Sequence, residues 1–183
     1  MTQRAIWAAL GLSLAGASAA NAQSMTLTST DLKEGATIAS EQVFKGFGCT
    51  GGNLSPALNW SGAPSGTKSF AISMYDPDAP TGSGWWHWVV YDIPASVHAL
   101  PGGIGVHAQL PAGVKEGRND YGAHAFGGTC PPAGDKPHHY IFTVYALKVD
   151  KLEVPDDASS ALIGFSLHAN SLGEAQITAT YSR

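Results

Sequence analysis

The side chains best placed to do chemistry in this chain fall in two short, stiff segments. The first is Asp76-Pro77-Asp78-Ala79-Pro80, followed by His87 inside Trp85-Trp86-His87-Trp88. Its prolines fix φ and lack N–H groups, and Asp76 and Ala79, each preceding a proline, are pushed toward extended backbone. Two carboxylates are thereby held on a rigid turn just ahead of an aromatic strand. The second segment runs from Arg118-Asn119-Asp120-Tyr121-Gly122 through Gly127-Gly128-Thr129-Cys130-Pro131-Pro132 to His138-His139-Tyr140. It repeats the pattern: glycines, a proline pair, and histidine at the entry to a strand. Such groups could do acid–base work or ligate a metal. They could also hold a small anion: a protonated imidazole donates twice, a phenol once, and glycine-rich backbone can turn N–H groups inward.

Spacing speaks against a metal or a serine nucleophile. A metal hydrolase would use His87, His138 and the aspartates, but neither H-E-x-x-H nor a comparable spacing is present. The acidic positions of a calcium loop do not follow Asp78, and no G-x-S-x-G supplies a serine nucleophile. The plainer explanations are that Asp76 and Asp78 cap a turn and that the tryptophans pack a core or its rim. The two segments together argue for a ligand site, non-catalytic and without a cofactor. One aspartate accepting from the far nitrogen of His87 would orient that ring and favour its charged form, so that an anion, were it the ligand, would be expected to bind more strongly as pH falls through about 6.5. On a regular strand His139 faces away from His138 and Tyr140, toward the surface. His98, His107, His124 and His168 have no partner motif.

Strands must carry these segments. Lys68 to Tyr75, His87 to Asp92 and His139 to Leu147 are rich in aromatic and β-branched residues and read as central strands. Met25 to Ser29, Ala57 to Trp60 and Glu174 to Tyr181 read as further strands, with short pieces near Ala36 to Ile38 and Val43-Phe44. From Ile93 to Gly128 prolines and glycines leave mostly loop. Pro155-Asp156-Asp157 is expected to cap a helix from Ala158 to about His168, with Ala161, Leu162 and Phe165 on its apolar side. The fold class is mostly β, a two-sheet sandwich with one or two short helices.

Length and composition suit one domain. Ahead of it, Arg4, the apolar run Ala5 to Ala20 and Ala20-Asn21-Ala22 have the form of a secretory signal peptide over residues 1–22, leaving a mature chain that begins at Gln23 and is exported to a periplasm or beyond. Removal of Arg4 leaves nine of the ten basic side chains against fourteen acidic ones, with no basic stripe for nucleic acid. Cys49 and Cys130 are the only cysteines. In an exported chain they favour a disulfide, which would stabilise by about 4 kcal/mol in the chain-entropy model, over two buried thiols.

The pairing of DPDAP and HWVVYDIP with Gly-Gly-x-Cys-Pro-Pro and H-x-Y resembles the phosphatidylethanolamine-binding protein family, most closely its bacterial Raf-kinase-inhibitor-like (YbhB/YbcL-type) branch. The resemblance spans about Leu27 to Tyr181 and includes SPALNW at Ser55 to Trp60. It implies a β-sandwich with a small cavity for phosphate or a phosphorylated headgroup. Carried over position by position, that cavity corresponds to Asp76, Pro77, Asp78, Pro80 and His87 from the first segment, and to Gly128, Pro131, Pro132, His138 and Tyr140 from the second. The family usually has proline where this chain has Thr129, which would leave a backbone N–H and a hydroxyl at the lip. The resemblance also implies a rival role, a protein-interaction module inhibiting a kinase or protease.

Overall fold

The computed structural model describes residues 24–183. The signal peptide expected over residues 1–22 and the start at Gln23 lie outside them.

The β-rich pattern folds as two facing sheets. The larger is built from β5 (Ser69–Asp76), β6 (Trp85–Pro94), β8 (Lys115–Glu116), β9 (His138–Leu147) and β10 (Ser171–Tyr181), in the order β10-β9-β5-β6-β8. The smaller has β1 (Thr26–Thr28), β4 (Leu58–Ser61) and β7 (Ala99–Leu100) in the order β1-β4-β7. A two-residue hairpin, β2 (Lys45–Gly46) with β3 (Cys49–Thr50), stands apart from both. All strand pairings in the three sheets are antiparallel.

Period-two alternation explains the layering. Phe70, Ile72 and Met74 of β5 and Phe142, Val144 and Ala146 of β9 share one core with Leu58, Trp60 and Leu100 of the smaller sheet. Ala71 of β5, Val89 of β6 and Tyr145 of β9 form a second core with Ile163 and Leu167 of α1 (Ser160–Asn170). The central strands are therefore covered on both faces, which is why they read as near-continuous apolar runs. Truncating one of their large side chains, such as Phe142, should cost roughly 3–5 kcal/mol.

The helix departs from expectation in its cap and its face. Ser159, not the Asp156-Asp157 pair, caps it, accepting from the Leu162 N–H. Ser160, Ile163, Gly164 and Leu167 are buried, whereas Ala161, Leu162 and Phe165 are exposed. The reason is steric: a Cβ at Gly164 would lie 2.7 Å from the Trp86 ring, so the helix turns its glycine toward the sheet. The pieces near Ala36 to Ile38 and Val43-Phe44 form single bridges, Thr37 with Thr180 and Val43 with Thr129.

Candidate functional site

The two stiff segments meet. The last residue of β5 is Asp76 and the first of β9 is His138, and His138 Nδ1 donates to Asp76 Oδ2 over 2.8 Å. The other oxygen of Asp76 closes the proline turn, accepting from the N–H groups of Asp78 at 2.8 Å and Ala79 at 3.1 Å. A carboxylate that is 2 % exposed is thus fully committed to local donors.

A break in the ladder brings His87 to the same place. Met74 pairs with Trp88 and Tyr75 with Trp86, so His87 is an extra residue opposite no partner, a β-bulge. Strict alternation would set His87 on the face of Val89, under the helix. With the bulge, Trp86 keeps that face against Tyr75 while His87 lines a cavity beside Asp76 and Trp85. The loop before β9 stabilises the irregularity. Its Gly127 N–H donates to the His87 carbonyl at 3.0 Å, and Asp120 exchanges bonds with the Trp86 backbone in both directions.

The His87 ring is fixed through Nδ1, which reaches the carbonyl oxygens of Gly127 at 2.9 Å and Gly128 at 3.0 Å. Carbonyl oxygens only accept, so Nδ1 carries the proton. This differs from the expected aspartate partner: Asp76 Oδ2 stands 4.0 Å from Nε2, too far for a hydrogen bond. Burial pushes His87 down to about 4, against the smaller raising influence of the Gly127 carbonyl and Asp76. The ring is therefore neutral at pH 7, with Nε2 buried and unpartnered. The expectation of a protonated His87 near pH 6.5 is corrected accordingly.

The glycines have a different task from the one foreseen. The N–H groups of Gly127, Gly128 and Thr129 go to the His87 carbonyl, Asn53 Oδ1 and the Gln42 carbonyl. None is left to face an anion. A Cβ on Gly128 would sit 2.2 Å from the Gln42 carbonyl oxygen, so close backbone approach is what requires glycine there. Thr129 is fully buried, not at the lip.

The cavity holds about 160 Å³, below the usual range for drug-sized ligands, and suits a small group. Asp76, Pro80, His87, Pro131, Pro132 and His138 line it, as do Phe47, Trp85 and Tyr121, which the sequence reading had not assigned to the site. Tyr140 is buried behind His87, with ring centroids 5.2 Å apart and its hydroxyl unpartnered. Burial pushes the Tyr140 and Tyr121 phenols far up, with Asp76 adding to both, so both stay protonated. Trp85 Nε1 is also buried without a partner. Pro77, Asp78, Gly128 and Tyr140 are not among the lining residues. Asp78 turns outward to His139, accepting from its backbone N–H and from Nδ1, both at 2.7 Å. Burial alone would raise the Asp78 carboxyl, but these bonds and the His139 and His138 rings hold it below its ordinary value. His139 lies on the surface, on the opposite side of β9 from His138, as alternation requires.

Cys49 and Cys130 are joined, tying the β2–β3 hairpin to the second loop across a separation of 81 residues. Among the described residues no cluster of histidine, cysteine and acidic side chains is arranged to hold a metal ion, and no helix is long and apolar enough to cross a membrane.

Residues 28–182 match the family model for phosphatidylethanolamine-binding protein. YbcL of Escherichia coli K12 is 54% identical over 88% of this chain and 90% of its own length. YbhB of the same strain is 48% identical over 86% of this chain and 100% of its own. The crystal structure of E. coli YbcL, described there as a new member of the mammalian PEBP family, superposes with a TM-score of 0.84, covering 87% of this chain and 98% of that one. LppC of Mycobacterium tuberculosis, whose name makes it a candidate lipoprotein, is 34% identical over 87% of this chain and 73% of its own length.

Proposed function

This chain belongs to the phosphatidylethanolamine-binding protein family, and from that premise we propose that its cavity binds a small oxyanion, inorganic phosphate or the phosphate of a headgroup, without altering it chemically. One observation carries the reading: Trp85 Nε1 and His87 Nε2, on two residues that line the same small cavity, are buried without partners. Buried polar atoms are ordinarily satisfied, so two orphans at one cavity fit a ligand that brings oxygens to them. Trp85 Nε1 donates as it stands. His87 Nε2 is a bare acceptor beside Asp76 Oδ2, and two acceptors facing each other gain nothing.

An oxyanion resolves that conflict by bringing or drawing in a proton. Protonated at Nε2, His87 becomes a cation next to Asp76 and able to donate to the ligand, a charge-assisted contact in a site with little water. Specificity then comes from proton uptake and not from standing positive charge: no lysine or arginine lines the cavity. The signal-like leader, the disulfide and the candidate lipoprotein among the relatives support action outside the cytoplasm.

Titration with inorganic phosphate, followed at the Trp85 indole N–H by NMR, tests the reading. A saturable shift at Trp85 that is lost in His87→Gln is expected. An indole resonance that stays in place, or that drifts without saturating in both proteins, would sink it.

A further inference from the structure

The mouth of the cavity is held by a residue distant from both stiff segments. Arg183 donates from Nε to the Pro131 carbonyl at 2.6 Å, from Nη1 to the Gly48 carbonyl at 3.1 Å, and from Nη2 to the Phe47 carbonyl at 3.4 Å. Its own carbonyl accepts from the Gly134 N–H at 3.0 Å. One guanidinium fork therefore ties together two segments that both line the cavity, through Phe47 on one and Pro131 on the other.

The Phe47 lip needs such a tie. Its hairpin consists of two ladder pairs only, Lys45 with Thr50 and Gly46 with Cys49. Phe47 has φ of 53°, in the left-handed region a phenylalanine enters at a cost, between Gly46 and Gly48. Its ring is 72 % exposed, yet it lines the cavity and lies 5.5 Å from the Tyr121 ring. Little burial holds this side chain in place. The disulfide anchors the hairpin at Cys49, two residues beyond Phe47. The bonds from Arg183 act on Phe47 and Gly48 themselves.

We infer that Arg183 is a positioning residue for ligand selection: it holds the Phe47 ring at the mouth, where it contacts whatever group the bound oxyanion carries. The inference rests on the oxyanion reading above and deepens it. The floor of the cavity, with Asp76, His87 and Trp85, meets the oxyanion itself, and the Phe47 wall meets its substituent. Pre-positioning that wall spares a ligand the cost of ordering it.

Comparing inorganic phosphate with phenyl phosphate by calorimetry on the full mature chain separates the two functions. Arg183→Ala should weaken phenyl phosphate about tenfold while changing inorganic phosphate by less than about twofold. Arg183→Lys, able to reach fewer carbonyls, should fall between. Phe47→Ala, at an exposed position, should reproduce the selective loss, and adding Arg183→Ala to it should weaken phenyl phosphate no further. Equal weakening of both ligands, an unchanged ratio, or additive losses in the double variant would overturn the role of Arg183 while leaving the oxyanion site intact. Failure of both ligands to bind the unsubstituted protein would overturn the site and the inference together.

Discussion

His138 and Asp76, separated by 62 residues in the chain, share a 2.8 Å hydrogen bond that is nearly closed to solvent. The bond joins the start of β9 to the end of β5, and on the other side of Asp76 it is continued into the proline turn. One carboxylate thus fixes the turn, the strand ends and a wall of the cavity at once. Nε2 of His138 points the other way, 3.5 Å from the half-exposed Asp135.

Removing that carboxylate should be costly. Asp76→Ala strands the N–H groups of Asp78 and Ala79 and the Nδ1–H of His138, and a buried donor left unpaired costs about 1–3 kcal/mol. We expect a total loss of about 3 kcal/mol, with Asp76→Asn intermediate because its carbonyl can still close the turn. Urea denaturation at pH 7 measures it. A loss below about 1 kcal/mol would mean that Asp76 is not the hub described.

Acid should destabilise the protein through His87. Its folded value, about 4, lies below its ordinary 6.5, so folding favours the neutral ring. The contribution is fully present above pH 6.5 and is lost as pH falls toward 4, for a total of about 3 kcal/mol. His87→Gln, which does not titrate, should show a flatter stability profile over this window, and phosphate should offset the loss in the unsubstituted protein. Parallel profiles for the two proteins would contradict the assignment.

Gly128→Ala should fail for a steric reason unrelated to flexibility. The added Cβ would meet the Gln42 carbonyl at 2.2 Å and the Phe44 nitrogen at 2.6 Å, both backbone atoms that cannot step aside. The loop must shift, and with it the carbonyls that fix His87. We expect destabilisation by more than about 3 kcal/mol, or a protein that no longer binds phosphate. Retention of both stability and binding would show that the loop has more room than its packing indicates.

What the sequence made legible follows its strongest patterns. Continuous apolar runs mark β5 and β9 because both faces of those strands are covered, and the two stiff turns are visible because proline and glycine act locally. His139 could be placed on the surface by alternation alone. Alternation is also what hid the setting of His87, since a single inserted residue in the β6 ladder reverses the side chain's face and leaves no mark in composition. The helix buries a different face from the one its apolar spacing predicts because Gly164 carries no apolar signal, although it packs against Trp86. Gly127 and Gly128 looked like an anion nest, but glycine at a close backbone approach is indistinguishable from glycine that frees an N–H. Tyr121 stood inside a segment already singled out, whereas Phe47 lies in neither; only the Cys49–Cys130 tie, which brings Phe47 to the second loop, could have pointed to its place at the mouth.

The central claim is that His87 is neutral in the empty site and gains a proton when an oxyanion enters. Imidazole nitrogen NMR of the mature protein at about pH 6, without and with saturating inorganic phosphate, reads this directly. The account predicts one protonated and one bare nitrogen in the empty protein, with the proton on Nδ1, and two protonated nitrogens in the complex. A His87 already doubly protonated without ligand, or one that keeps a bare Nε2 at saturation, would contradict it.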